Sequence, residues 1–309
     1  MKTQALREVF GETLVELGAQ YPNLVVMDGD LANSTKADKF EVAYPERFLE
    51  MGIAEQNLMG AAAGLSTLGL IPWISSFAVF LTHRAADPLR MLVAQTHANV
   101  KIGAAYAGLL TGYTGKTHQD VEDLAIVRAM PEMVVLAPAD AVEARAMMHW
   151  ATAYIGPVYL RLARDPSPVL FKEDYVFEPG RVIRLKEGAD VALVSTGVQT
   201  PRTLEAARLL KKEGVHATVL HVGSIKPLNE TELVEAVGEA ALVVTTEEHN
   251  VYGGLGGLVA EVLSAHNPKR VVRIGIQDVF GESAPNEFLL EQHGLSPPKI
   301  AQRVLEEVR

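Results

Sequence analysis

The chain has no cysteine, which excludes a disulfide framework, a thiolate nucleophile and a Cys-ligated zinc site. It is also short of positive charge. Its 28 basic residues against 38 acidic ones leave a net charge of -10, which repels nucleic-acid backbones and anionic lipid headgroups. No nucleic-acid partner is expected, and an anionic small substrate needs a local basic pocket. The opening MKTQALREVF lacks the apolar core of a signal peptide, so a cytoplasmic location is expected. No tandem repeat or low-complexity tract is visible, against a solenoid or a disordered scaffold. One charge-free stretch, Asn57 to Thr82, has enough residues to cross a bilayer. Gly60, Gly64, Gly69, Pro72, Ser75 and Ser76 interrupt it, a pattern that predicts a buried helix, a turn and a buried strand rather than a membrane span.

What is present is bulk: 309 residues, 48% hydrophobic, enough for two domains. Leu6, Val9, Phe10, Leu14 and Leu17 recur at helical spacing after Thr3, which is expected to cap the first turn. Short apolar runs follow between helical stretches: Leu24 to Met27, Ile71 to Ile74, Val100 to Ala104, Val134 to Ala137 and Val158 to Leu162. Such runs predict a parallel sheet buried on both faces. Asp165-Pro-Ser-Pro168 breaks the rhythm, and a second α/β series begins at Val191 to Ser195 and ends with strand Val271 to Ile276.

Three stretches carry candidate chemistry. Gly52-Ile-Ala-Glu-Gln-Asn57 puts Glu55 at the start of an otherwise uncharged helix, Gln56 to Leu68. A carboxylate there stabilises the first turn through the helix dipole; beside the aromatic pair Phe77 and Phe80 it also suits a flat, basic heterocycle. Gly112 to Gln119 is a glycine-spaced loop containing His118, either plain surface or a group that reaches a substrate hydroxyl. Arg164 closes a strand, either as an oxyanion grip or in a salt bridge to Asp165 or Glu173. Gly253 to Gly257, after Glu247-Glu-His249, is a glycine-rich turn whose spacing is not a P-loop and which reads as packing, with His249 at a candidate subunit contact.

These stretches resemble the transketolase family, over essentially the whole chain. Gly52 to Asn57 is similar to the glutamate motif of those enzymes, Thr117-His118-Gln119 with Met130-Pro-Glu-Met-Val134 to their active-site loop and its exit, and Gly29 to Ser34 to their Asp-Leu segment. The resemblance implies an α/β chain of two domains. A doubly wound parallel-sheet domain binding the thiamine-diphosphate pyrimidine is expected over 1-168, a linker over 169-186, and a smaller transketolase C-terminal-like domain over 187-309. It implies that Glu55 bonds N1′ of the pyrimidine and that Phe77 and Phe80 stack it, with Asp30 and Leu31 nearby. It also implies that His118 is catalytic and that Ser34, His118, Arg164, Tyr106 and Thr114 face the substrate.

The family's diphosphate-binding domain, with its Gly-Asp-Gly and later asparagine for magnesium, has no counterpart; Asp28-Gly-Asp30 is the nearest string. The resemblance therefore implies a separate N-terminal transketolase subunit as partner, in an α2β2 assembly, that holds magnesium and the diphosphate. Ketol transfer from a ketose phosphate or similarly anionic ketose to an aldose phosphate, through a thiamine-diphosphate ylid, is the implied reaction. The alternatives are a β-subunit of a 2-oxo acid dehydrogenase, a deoxyxylulose-phosphate-synthase-like enzyme, or a non-catalytic assembly subunit. Two departures matter. Tyr106 replaces a second histidine, and Tyr113, Thr114 and Lys116 stand where an acidic sugar-reading residue is usual. Both predict a non-standard sugar.

Overall fold

The apolar runs of the first half become interior strands because each is buried along its whole length: β2 (Leu24–Asp28), β4 (Ile71–Phe77), β5 (Lys101–Ala105), β6 (Val134–Leu136) and β7 (Val158–Leu162). The computed structural model describes residues 2–308. The remaining strands are β1 (Thr3–Ala5), β3 (Phe48–Glu50), β8 (Pro166–Pro168), β9 (Ile183–Lys186), β10 (Val191–Ser195), β11 (Ala217–His221), β12 (Ser224–Lys226), β13 (Leu242–Asn250) and β14 (Arg270–Ile276). The first sheet runs β12-β6-β7-β5-β4-β2-β3, and the second β14-β13-β10-β11-β9. The expected α/β architecture with parallel sheets is the one observed.

Helices cover both faces of the first sheet. On one, helix Leu6–Gln20 buries Leu6, Phe10, Leu14 and Leu17 with Trp73 and with Met147 and Met148 of helix Ala141–Ala153. On the other, helix Glu55–Ser66 packs Leu58, Met59 and Ala62 with Leu81, Leu89 and Val93. The charge-free stretch is thus a helix, a turn and β4. Among the described residues no helix is long and apolar enough to cross a membrane.

Phe77 lies in register with Ala105, and Ala105 with Leu162. The parallel strands β2, β4, β5 and β7 therefore release Gly29–Leu31, Phe77, Tyr106 and Arg164 at one sheet edge, where open α/β sheets bind ligands.

Three local expectations change. Thr3 does not cap the first helix: it pairs with Pro168 in the two-stranded ladder β1-β8, and Ala5 occupies the cap position without a side-chain bond. The segment expected as linker, 169–186, contributes β9 as an edge strand antiparallel to β11. β12, from the second half, extends the first sheet antiparallel to β6, so the two halves share a sheet edge.

Candidate functional site

The ring of Phe77 stacks on Tyr106, 4.0 Å away and tilted 17°, and lies 5.7 Å from Phe80, tilted 27°. His118 meets this wall edge-on, 5.9 Å from Phe77 and 5.5 Å from Phe80. Leu31 packs against the same cluster. Glu55 is the first residue of its helix, where unpaired amides favour a carboxylate, and it is only 4% exposed. Arg84 donates to Glu55 Oε1 at 2.8 Å and lies 3.9 Å over the Phe80 ring. Among the described residues nothing bonds Oε2. A buried acid, a flat apolar wall and a histidine thus share one edge.

Tyr106 connects this wall to a basic pocket. Its φ of 58° is left-handed, unusual for a bulky residue and sustained only by firm surroundings. Arg7 Nη1 donates to the Tyr106 hydroxyl and to the Ser34 carbonyl, both at 3.1 Å. Arg164 lies 5.5 Å over the Tyr106 ring. The Nε atoms of Arg7 and Arg164 are both buried without a partner. A buried guanidinium N–H left unbonded is costly, so two such groups flanking one tyrosine make a cradle fitted to an anion. The salt bridge from Arg164 to Asp165 also exists, at 3.7 Å, and leaves that Nε unengaged.

The fold therefore gathers Glu55, Leu31, Phe77, Phe80, Tyr106, His118, Ser34 and Arg164. Other expected residues sit apart. Asp30 is exposed, with its amide on Glu50 at 3.0 Å, because the inward carboxylate of the loop is Asp28. That group accepts the Leu31 amide at 2.6 Å, and burial pushes its pKa up to about 6. Thr114 turns its hydroxyl to the Thr111 carbonyl at 3.0 Å, Tyr113 is 73% exposed and Lys116 is exposed. His118 Nδ1 is held by the Thr117 hydroxyl at 2.8 Å, and among the described residues Nε2 has no partner. Arg7 is the functional candidate that sequence reading missed: it is one charged position on an amphipathic helix, 99 residues from Tyr106.

These residues fit the pyrimidine end of thiamine diphosphate. Glu55 keeps one carboxylate oxygen open, Phe77 and Phe80 form an apolar aromatic wall, and the buried Ser76 hydroxyl lacks a partner 3.5 Å from where a Cβ on Gly29 would stand. They do not fit magnesium. The one group of three potential ligands among the described residues is His83, Asp120 and Glu122, next in sequence to Arg84, whereas magnesium takes a near-octahedral set of oxygens. The glycine-rich turn offers no phosphate cradle either, since the Leu255 and Gly256 amides already bond the Glu247 carboxylate at 2.7 and 2.8 Å. His249 is fully buried beside Asp123 and Glu247, not at a subunit contact, and burial pushes its pKa down to about 4.

The family "Transketolase, pyrimidine binding domain" matches residues 2–168, and "Transketolase, C-terminal domain" matches 180–300. A putative transketolase C-terminal section from Methanocaldococcus jannaschii is 42% identical over 309 residues, covering 99% of this chain and 97% of that protein. The 6-deoxy-6-sulfo-D-fructose transketolase subunit SqwH of a Clostridium species is 35% identical over 297 residues, covering 96% and 92%. A solved structure described as "Split gene transketolase, inactive beta4 tetramer" is 47% identical, with a TM-score of 0.91 and 99% of both chains covered.

Proposed function

The chain belongs to the transketolase family, as the C-terminal subunit of a split enzyme, and from this premise we propose that it transfers two-carbon ketol groups. It does so with an N-terminal subunit that carries the diphosphate-binding domain, in an α2β2 assembly, from an anionic ketose to an aldose phosphate. The observation that carries this reading is the continuity of the site. Phe77 stacks on Tyr106, and Tyr106 bonds Arg7, so a cofactor wall and an anion cradle share one side chain.

When bound, thiamine diphosphate supplies a nucleophilic carbon that carries the two-carbon unit; magnesium and the diphosphate belong to the partner. Glu55 shares a proton with the pyrimidine N1′ from a water-poor position. Arg84 holds Oε1 and leaves Oε2 to the ring. Phe77 and Phe80 exclude water and align the heterocycle. His118, with Nδ1 fixed by Thr117, offers Nε2 to the substrate oxygen. Arg7 and Arg164 bind the anionic end, and the Ser34 segment, tied to Arg7, closes that pocket.

The substrate is a modified ketose. Tyr106 fills the wall where a sugar-reading histidine is usual, and no carboxylate occupies the loop around Thr114. A relative that acts on 6-deoxy-6-sulfo-D-fructose, as its name states, supports a donor with a sulfonate or another anionic end.

Co-expression with the candidate N-terminal subunit and a product assay over phosphorylated and sulfonated ketoses tests both points. Ketol transfer lowered about 100-fold or more by Glu55→Ala is the expected result. An assembly subunit would leave transfer intact in that variant, a dehydrogenase subunit would decarboxylate a 2-oxo acid, and a deoxyxylulose-phosphate-synthase-like enzyme would condense pyruvate with an aldose phosphate. Equal or better kinetics with xylulose 5-phosphate and ribose 5-phosphate than with every other pair would remove the modified-ketose reading.

A further inference from the structure

The loop from Tyr106 to Gln119 carries the substrate-facing residues, yet its shape is set largely by the second half of the chain. Leu109 and Leu110 are buried in the core of that half, with Val191, Leu193, Leu289 and Ile300. The Glu248 carboxylate accepts the Leu109 and Leu110 amides through Oε1, at 2.9 and 3.1 Å, and is itself held by Arg202 through Oε2 at 3.0 Å. Gly108 (φ 86°) precedes this contact, and a Cβ there would collide with Oε1. Further along, Asn286 bonds the Leu110 carbonyl at 3.4 Å, and a Cβ on Gly112 (φ 61°) would lie 2.8 Å from Asn286 Oδ1. Ser283 bonds the Tyr113 carbonyl at 2.6 Å, and Gln119 donates to the Glu282 carbonyl at 3.1 Å. Asn286 also bonds Asp165, the partner of Arg164.

We infer that the second half of the chain is a mould for the substrate loop, with Glu248 and Asn286 as positioning residues. Glu248 fixes the turn that follows Tyr106, while Asn286 couples the loop to the arm bearing Arg164. The inference rests on the reading of His118 and Arg164 as substrate-facing. The geometry supports it in one further respect. Glu248 is a nearly fully buried carboxylate on β13, with both oxygens engaged, and two of its three bonds go to loop amides rather than to its own half.

The test uses the full chain, alone and with its partner subunit, carrying Glu248→Ala, Glu248→Gln or Asn286→Ala. In the chain alone, amide exchange of peptides spanning 109–118 is expected to rise about tenfold or more in Glu248→Ala, the scale of a lost bond to a charged acceptor, while β10 keeps its protection. Glu248→Gln, which keeps an acceptor oxygen, restores most of that protection. In the assembled enzyme, Glu248→Ala and Asn286→Ala raise the donor KM about tenfold and leave half-saturation by thiamine diphosphate within about twofold, because Glu55 and Phe77 are untouched. Should Glu248→Ala fail to fold, Asn286→Ala, at a half-buried surface position, carries both measurements. Unchanged loop exchange, or a KM rise matched by an equal loss of cofactor saturation, overturns the inference. A wild-type complex without ketol transfer overturns the functional reading instead, and the exchange measurement still decides the mould.

Discussion

Arg84 bonds Glu55 at 2.8 Å while its guanidinium lies 3.9 Å over Phe80, so one side chain links the proposed proton-sharing acid to the proposed stacking wall. Glu55→Ala is expected to lower ketol transfer about 100-fold or more. Arg84→Met, which only loosens the acid, should cost about tenfold. Steady-state rates of the reconstituted complex check both, with thermal melts showing that the fold is kept. Near-wild-type rates in Glu55→Ala would remove the carboxylate from the mechanism.

Arg7→Met should raise the KM for an anionic donor about 10- to 100-fold, the range for a lost charge-assisted bond. A donor lacking the anionic end should respond little. Equal penalties on charged and uncharged donors would mean that Arg7 only supports Tyr106.

Tyr106→His exchanges the ring that fills the wall for the residue usual in the family. The ratio of kcat/KM for the pentose-phosphate pair over the preferred ketose should rise. Tyr106→Phe, which keeps the stack on Phe77 and drops the Arg7 bond, should weaken donor binding without changing that ratio. An unchanged ratio in the histidine variant would show that Tyr106 does not read the sugar.

Two buried neighbours titrate in opposite directions. Burial pushes the Glu247 pKa up to about 7 from 4.5, so its contribution to stability is full below about pH 4.5 and is lost as pH rises through 7. His249, pushed down to about 4 from 6.5, contributes fully above about 6.5, and that contribution is lost as pH falls through 4. Glu247→Gln, which cannot ionise, should therefore melt progressively closer to, or above, the wild type as pH rises from 4.5 to 7. A constant difference in Tm across that window would show that Glu247 does not titrate there.

Much of the frame was legible because burial on both faces leaves a direct mark on sequence: strands such as Val158–Leu162 and Val191–Ser195 read as apolar stretches between helices. Glu55 was legible as a lone acid opening a charge-free helix. Arg7 was not, since a helical charge looks the same whether it faces water or a tyrosine far along the chain. His249 misled for a related reason. Glu247-Glu-His249 reads as the polar lead-in to a packing turn, with His249 at a subunit contact, whereas the chain folds over it and gives each group an internal partner: the helix amides for Glu247, Arg202 and the loop amides for Glu248, and the Asn250 carbonyl for His249. Thr3 failed as a cap because strand pairing across 165 residues outcompeted a local bond.

The strand Ser224–Lys226, laid antiparallel on β6, bears on how the gene can be cut. A fragment ending near Pro168 would strip the cover from Val134–Leu136 and leave an apolar strand edge open to other chains. Although the cofactor-facing and loop-supporting halves look like independent cassettes, neither is a clean unit for expression, swapping or recombination, and a chimaera should carry residues 224–226 along with the first sheet.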